Sequence, residues 1–136
     1  MKVEGSCHCG AITFEAEVTP GTISVCHCTD CQMLTGAAFR ANIRAAAEGF
    51  RLLTGTPREY VKVAASGTRR VQAFCGTCGA SVYACDAENP TTYNLRVGTL
   101  RQRDDLGRPA REIWTHSRLG WVEHLDGVAE FDGPPK

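Results

Sequence analysis

Seven of the eight cysteines in this 136-residue chain lie in three short clusters. The clusters are Cys7-His8-Cys9, Cys26-His27-Cys28-Thr29-Asp30-Cys31 and Cys75-Gly76-Thr77-Cys78. Thiolates one or two residues apart can bind one metal ion from a tight turn, whereas a disulfide between them would close a small, strained ring. A secreted disulfide scaffold is the alternative, since an even cysteine count in a short chain also fits it. The spacing favours metal binding, and zinc is the metal that such thiolate sites usually hold.

Two of the clusters together offer four thiolates. The CxxC pair supplies only two of the four ligands that a structural zinc needs, and the CxC pair near the N-terminus is its natural partner. The four ligands would be Cys7, Cys9, Cys75 and Cys78. Because a filled tetrahedron leaves no position for a substrate, we expect this site to be structural.

The third cluster stands alone with three sulfurs, those of Cys26, Cys28 and Cys31. A reactive zinc site has three protein ligands and one vacant coordination position. Three thiolates and one Zn²⁺ sum to a charge of about −1, so such a metal is a poor activator of water but can hold an incoming thiol as its thiolate. We therefore expect a catalytic zinc that handles a thiol substrate.

Three further residues could change these ligand sets. His8 and His27 lie between cysteines and could bind the metal in their place, although the residue between two ligands in a short knuckle usually points away. Cys85 lies outside the clusters. It either packs as a small apolar side chain or completes the three-cysteine site and closes it.

Short segments that alternate apolar and polar residues would position the clusters. Eight such segments, bounded by turn-forming residues, predict β-strands. They cover residues 11–18, 39–44, 50–54, 59–63, 70–74, 81–84, 92–97 and 113–115. The chain is therefore expected to be mainly β, in one domain over residues 1–136 with a core from about 3 to 131.

At most one short helix is expected, near residues 29–36. Thr29 and Gln32 have the spacing of a capping box, and Gly36 could end one or two turns. A plain loop is the alternative. Trp114 and Trp121 are expected to fill the core.

Composition disfavours several classes of partner. The 15 basic and 15 acidic residues give a formal net charge of zero, so no global field attracts nucleic acid or an anionic membrane. No apolar stretch approaches the ~20 residues that a membrane span needs. The first ten residues, MKVEGSCHCG, lack the apolar segment of an export signal. We expect a soluble cytoplasmic protein without nucleic-acid or membrane partners, and the oligomeric state stays open.

The order of the motifs resembles the glutathione-dependent formaldehyde-activating enzyme family, which includes centromere protein V. The motifs are GSCHCG at 5–10, CHCTDC at 26–31, FCGTCG at 74–79, VGTL at 97–100 and the IWT…W stretch at 113–121. The resemblance covers nearly the whole chain and implies a zinc-containing β-tent of packed antiparallel sheets. It also implies a structural and a catalytic zinc on the two ligand sets above. The implied activity is a carbon–sulfur lyase reaction that interconverts S-hydroxymethylglutathione with formaldehyde and glutathione.

Glutathione, the small-molecule thiol partner that the resemblance implies, carries two carboxylates. The candidate anchors for these carboxylates are four arginines, Arg40, Arg44, Arg69 and Arg70. The alternative is that their side chains are exposed and solvated.

Family members commonly have a histidine where this chain has Glu112. Any role of that histidine therefore does not carry over to this chain. A non-catalytic zinc-stabilised thiol- or protein-binding module is the first alternative to an enzyme, and it predicts two closed metal sites. Nucleic-acid or chromatin association, which the resemblance to centromere protein V implies, is the second, and the balanced charge weakens it.

Overall fold

Two β-sheets form most of the regular structure in the computed structural model, which describes all residues from Met1 to Lys136. The strands are β1 (Lys2–Ser6), β2 (Thr13–Glu17), β3 (Ile23–Cys26), β4 (Arg40–Ala46), β5 (Phe50–Thr54), β6 (Arg58–Val63), β7 (Arg69–Phe74), β8 (Ser81–Asp86), β9 (Thr92–Arg96), β10 (Pro109–Ile113) and β11 (Ala129–Glu130). The α-helix α1 spans Thr29–Thr35. The predicted mainly β class is confirmed.

The two sheets differ in size and direction. The smaller sheet is antiparallel, with strand order β1-β2-β5. The larger has eight strands in the order β11-β10-β3-β4-β9-β8-β7-β6. Its strands pair antiparallel except at one edge, where β10 runs parallel to both β3 and β11. The larger sheet is therefore mixed rather than purely antiparallel.

The core combines residues from both sheets. Phe14 from the smaller sheet and the pair Ile43 and Leu95 from the larger one belong to a single cluster of fourteen buried residues. Successive side chains of a strand point to opposite faces. The neighbours of Ile43 and Leu95, Asn42 and Arg96, therefore face away from this core, and they line a cavity on the other side of the sheet.

Several strand boundaries differ from the prediction. The strand predicted at 113–115 lies earlier, at Pro109–Ile113, because Trp114 adopts a left-handed backbone conformation with φ of 55°. β1, β3 and β11 were not predicted. β3 and β11 are four and two residues long, too short for an alternating pattern to be recognised, and β1 has a single large apolar residue, Val3.

The predicted short helix is present, but its cap is one residue earlier than expected. Cys28 is the N-cap, and its sulfur accepts a hydrogen bond from the backbone N–H of Cys31 at 3.3 Å. A thiol thus takes the place of the oxygen expected from Thr29. Gly36 ends the helix with φ of 65°, as predicted. No helix in the structure has the length and apolar character needed to cross a membrane.

The expectation that both tryptophans fill the core is wrong. Trp121 is 73% exposed. Trp114 is half-buried, and its side chain lines the cavity beside the second cysteine cluster. The position of Trp114 follows from its left-handed backbone, a conformation that is uncommon for a bulky residue and that concentrates at functional sites.

Candidate metal sites and the cysteine pocket

The first cysteine group joins the two sheets. Cys7 and Cys9 lie between β1 and β2, and Cys75 and Cys78 lie between β7 and β8. All four sulfurs lie within 4.8 Å of one another. The sulfurs of Cys7 and Cys9 are 3.7 Å apart, and those of Cys9 and Cys75 are 3.8 Å apart. A tetrahedral zinc with bonds of about 2.3 Å to sulfur requires separations of about 3.8 Å, so the donor set fits zinc.

Backbone amides favour the thiolate form of two cysteines in this group, Cys75 and Cys78. Cys75 accepts hydrogen bonds from the N–H groups of Thr77 and Cys78, both at 3.4 Å. Backbone N–H groups of Ala80 and Cys9 lower the pKa of the Cys78 thiol to about 6. Thiolates are the form in which cysteine binds a metal. All eight cysteines are free, so the disulfide alternative is wrong for this structure.

The second cysteine group surrounds the start of α1. Cys26 ends β3, Cys28 caps the helix, and Cys31 lies in its first turn. Their three sulfurs lie within 4.8 Å of one another, and no other ligand belongs to the group. Cys85 packs instead with Val71 and belongs to a separate apolar cluster. The group therefore offers a metal three sulfurs.

The histidine inside the second group points away from the sulfurs. His27 is fully buried, and its Nε2 lies 2.8 Å from Oε1 of Glu112. Nη2 of Arg118 donates to the other oxygen of Glu112 at 3.1 Å. Burial raises the pKa of Glu112, but the hydrogen bond with His27 and the charge of Arg118 outweigh burial and lower it. His8 in the first group is exposed, and neither histidine belongs to a metal-binding group.

A cavity of about 220 Å³, here called the cysteine pocket, lies beside the second group and is lined by all three of its cysteines. Four other lining side chains are cationic: Arg40, Lys62, Arg70 and Arg96. The strand register brings Arg40 directly opposite Cys26 on neighbouring strands. The pocket therefore places positive charge next to the three sulfurs.

Two of these cations are buried and close together. Arg40 Nη1 and Arg96 Nη2 both donate to Oε1 of Gln72, at 3.1 and 2.8 Å. Burial, and secondarily the charge of Arg40, lowers the pKa of Arg96 to about 9. Burial likewise lowers the pKa of Arg40. Both guanidiniums stay positively charged near neutral pH and contribute to the potential in the pocket.

A family model described as glutathione-dependent formaldehyde-activating enzyme matches residues 2–117. The chain belongs to this family. A Halomonas elongata protein provisionally named a glutathione-dependent formaldehyde-activating enzyme is 25% identical over 132 residues, which cover 90% of this chain and 81% of that protein. A crystal structure of a Rhodobacter sphaeroides protein aligns with a TM-score of 0.57 and 22% identity, covering 94% of this chain and 98% of that one. At that identity the likeness concerns the fold alone.

In this member of the formaldehyde-activating enzyme family, the structure separates the four candidate arginines. Arg40 and Arg70 line the cysteine pocket. Arg44 lines a different cavity, and Arg69 forms an ion pair with Glu88. Arg40 and Arg70 are therefore the two of the four that could contact a substrate there.

Sequence reasoning missed most of the other residues that line the pocket, among them Lys62, Gln72, Arg96 and Trp114. A signal for Arg96 exists in the alternation of β9, where Asn94 and Arg96 flank Leu95 and must share the face opposite the core. Only the eight-strand order brings that face next to the cysteines.

Proposed function

We propose that this chain is a zinc-dependent carbon–sulfur lyase, resembling S-(hydroxymethyl)glutathione synthase, that joins a thiol such as glutathione to formaldehyde or a similar small carbonyl. The observation that carries the proposal is a group of only three sulfurs, from Cys26, Cys28 and Cys31, in the wall of a cavity. The other group has four cysteines and can complete a tetrahedron without a substrate. We therefore assign a catalytic zinc to the three-cysteine group and a structural zinc to the four-cysteine group.

The chemistry requires a thiolate and a carbonyl side by side. A zinc ion held by Cys26, Cys28 and Cys31 would supply a position at which an incoming thiol is kept as its thiolate. The thiol sulfur forms a bond to the carbonyl carbon, and an electron pair of the C=O bond moves to the oxygen, which takes up a proton equivalent to the one that the thiol lost. The reverse reaction breaks the same bond. Holding both reactants in one pocket accelerates the reaction by proximity.

The charge of the pocket suits this chemistry. Lys62 and Arg70 are paired with carboxylates, at 2.7 and 2.8 Å, whereas the buried Arg40 and Arg96 have no acidic partner. Positive charges that are fixed in a site of low dielectric stabilise negative charge on a substrate. Arg40 and Arg96 would therefore favour both the bound thiolate and the oxyanion that develops on the carbonyl.

The space around the pocket suits a thiol larger than the reacting groups. The cysteine pocket, at about 220 Å³, is smaller than the roughly 300–1,000 Å³ of sites for drug-sized ligands. A second cavity of about 460 Å³ shares Leu34, Arg40 and Gln72 with it. The sulfur of glutathione would occupy the cysteine pocket, and the remainder of the tripeptide would extend into the second cavity.

A non-catalytic thiol- or protein-binding module is the second candidate. Leu34 and Tyr60 are 39% and 55% exposed, and both line the second cavity. Exposed apolar side chains that border a cavity also serve binding proteins. With eight free cysteines, either function requires a reducing compartment, and we propose the cytoplasm.

Turnover separates the two candidates. NMR exchange spectroscopy of the zinc-loaded protein with glutathione and formaldehyde should show interconversion with S-hydroxymethylglutathione faster than in buffer. Cys28→Ser should abolish the acceleration. Cys85→Ala, in a cysteine outside both groups, should retain it. Glutathione binding without acceleration in the wild-type protein would favour the binding module, and acceleration that survives in Cys28→Ser would exclude the assigned site.

A further inference from the structure

The two buried arginines of the cysteine pocket lack a counter-charge from any acidic residue. Arg40 and Arg96 are 5% and 7% exposed, and their side chains donate only to neutral oxygens. The more exposed Arg70 of the same pocket is paired with Asp86 at 2.8 Å. Charged groups are costly to bury unless they are paired. For stability alone, the buried arginines would be the ones paired with carboxylates, whereas here only the more exposed Arg70 is paired. The unpaired arginines indicate a site that binds an anion.

Arg96 is held in place by three neutral partners. Its Nη2 donates to Gln72 Oε1 at 2.8 Å, its Nη1 to Asn42 Oδ1 at 2.7 Å, and its Nε to Ser81 Oγ at 3.1 Å. The same oxygen of Gln72 accepts from Arg40 at 3.1 Å. The two guanidiniums therefore lie side by side in fixed positions. Gln72 occupies the space between the two guanidiniums, so a ligand would bind beside them, at donors that are already oriented.

Arg40 has donors to spare. Its only side-chain hydrogen bond runs from Nη1 to Gln72, and its Nε is buried without a partner. The Nε and Nη2 groups of arginine form a fork that matches the two oxygens of a carboxylate. A buried donor without a partner is unfavourable until a ligand satisfies it. A carboxylate is the anion whose two oxygens match this pair of donors.

The cysteines act on these arginines through charge but do not satisfy their hydrogen-bond donors. Neither Arg40 nor Arg96 donates a hydrogen bond to a cysteine sulfur. With zinc bound, three thiolates sum to a charge of about −1, while the two arginines contribute +2. Before a substrate thiolate binds, the pocket therefore keeps an excess charge of about +1, which attracts an anion.

We infer that Arg40 and Arg96 form a carboxylate subsite of the cysteine pocket, and that the carbonyl substrate is a small 2-oxo acid such as glyoxylate. The inference rests on the proposed function and names its carbonyl substrate. In a 2-oxo acid the reacting carbon is bonded directly to the carboxylate carbon. Because Arg40 lies opposite Cys26 in the strand register, a carboxylate held at Arg40 keeps the carbonyl close to the cysteine sulfurs.

The reaction balances as for formaldehyde. The thiol sulfur bonds to the carbonyl carbon, an electron pair of the C=O bond moves to the oxygen, and that oxygen takes up a proton to replace the one lost by the thiol. The product is a 2-hydroxy acid in which the former carbonyl carbon carries both the hydroxyl group and the thioether sulfur. The carboxylate remains unchanged, and no oxidant or reductant is required.

Binding can be tested without turnover and without a variant that affects folding. Acetate, added to the zinc-loaded wild-type protein, should shift the ¹⁵N–¹H signal of the Arg40 Nε–H group saturably, whereas acetamide should not. The matched control is Arg44, which lies on the same strand but is exposed. Its signal should remain in place. An Arg40 signal that does not respond to acetate, or that responds equally to acetamide, overturns the subsite.

Turnover identifies which reactant places its carboxylate at Arg40. Glyoxylate and formaldehyde would each be assayed with glutathione and with 2-mercaptoethanol, which has no carboxylate. Arg40→Lys keeps the charge and loses the fork, so kcat/KM for glyoxylate should fall roughly 10- to 100-fold relative to that for formaldehyde, with both thiols. Arg44→Lys should leave this ratio unchanged. A loss that follows glutathione instead of glyoxylate, or that is equal for all four pairs, overturns the oxo-acid assignment.

The two proposals fail in different ways. If formaldehyde turns over while acetate leaves Arg40 unaffected and Arg40→Lys leaves the glyoxylate-to-formaldehyde ratio unchanged, the lyase function stands and the carboxylate subsite is wrong. If acetate binds at Arg40 but no carbonyl is turned over, the subsite stands and the lyase function is wrong.

Discussion

Replacing Glu112 by glutamine should destabilise the protein and weaken the three-cysteine site. The carboxylate of Glu112 is 2% exposed and binds His27 at 2.8 Å and Arg118 at 3.1 Å. Hydrogen bonds to a charged group contribute about 1.5–3 kcal/mol each, and the amide oxygen of glutamine can still accept one. We expect the free energy of unfolding to fall by about 2–4 kcal/mol, which lowers Tm by roughly 10 °C in a chain of this size.

Urea unfolding of the zinc-loaded proteins at pH 7 measures this difference, and Glu130→Gln is the matched control. Glu130 accepts from the same Arg118 at 2.9 Å, but its side chain is 32% exposed. Glu130→Gln should therefore lower the free energy of unfolding by less than about 1 kcal/mol. Since His27 lies between Cys26 and Cys28, Glu112→Gln should also lower zinc affinity at the three-cysteine site, and Glu130→Gln should not. Equal effects of the two variants would refute the reasoning.

The same variant predicts a difference in pH dependence. Because the folded state holds the pKa of Glu112 below its usual range, this carboxylate contributes stability above the unfolded pKa of about 4.3. The contribution is lost as pH falls through the folded pKa. The wild-type protein should therefore lose more stability than Glu112→Gln below about pH 5. Acid release of zinc affects both proteins, so the difference between their curves reports Glu112, and parallel curves would contradict its assigned role.

The remaining predictions concern the cysteines and one glycine. Cys78→Ser should unfold the domain, because structural zinc contributes about 10–16 kcal/mol of folding free energy in small zinc domains. Cys28→Ser should stay folded. Circular dichroism distinguishes the folded from the unfolded variant. Equal unfolding of both variants would contradict the division of the sites. A Cβ on Gly5 would lie 2.0 Å from the ring of Phe14, so Gly5→Ala should cost about 1–3 kcal/mol in urea unfolding. Gly98→Ala, with open space around it, should change little, and equal stability of both glycine variants would exclude the predicted clash.

Much of the candidate site could be predicted because cysteine spacing reports local geometry directly. The separation of Cys26, Cys28 and Cys31 by one and two residues already limits them to one turn, and the structure brings their sulfurs together. The grouping of Cys7 with Cys75 depended on counting ligands, and the structure places their sulfurs within 4.8 Å of each other. Zinc binding itself remains a proposal.

The rest could not be predicted because it depends on contacts between distant strands. The pair of Arg40 and Arg96 requires β4 and β9 to be neighbours, which alternation within each strand does not reveal. The pairing of His27 with Glu112 requires the parallel edge of β3 and β10. The exposure of Trp121 also depends on tertiary packing, and residue type alone favours burial.

The central claim is that one cysteine group is closed and the other takes a thiol, and native mass spectrometry tests it most directly. The reduced, zinc-loaded protein should carry two zinc ions and bind one glutathione per chain. Cys28→Ser should lose one zinc and the glutathione. Two zinc ions in Cys28→Ser, or a wild-type protein with two zinc ions that binds no thiol, would contradict the claim.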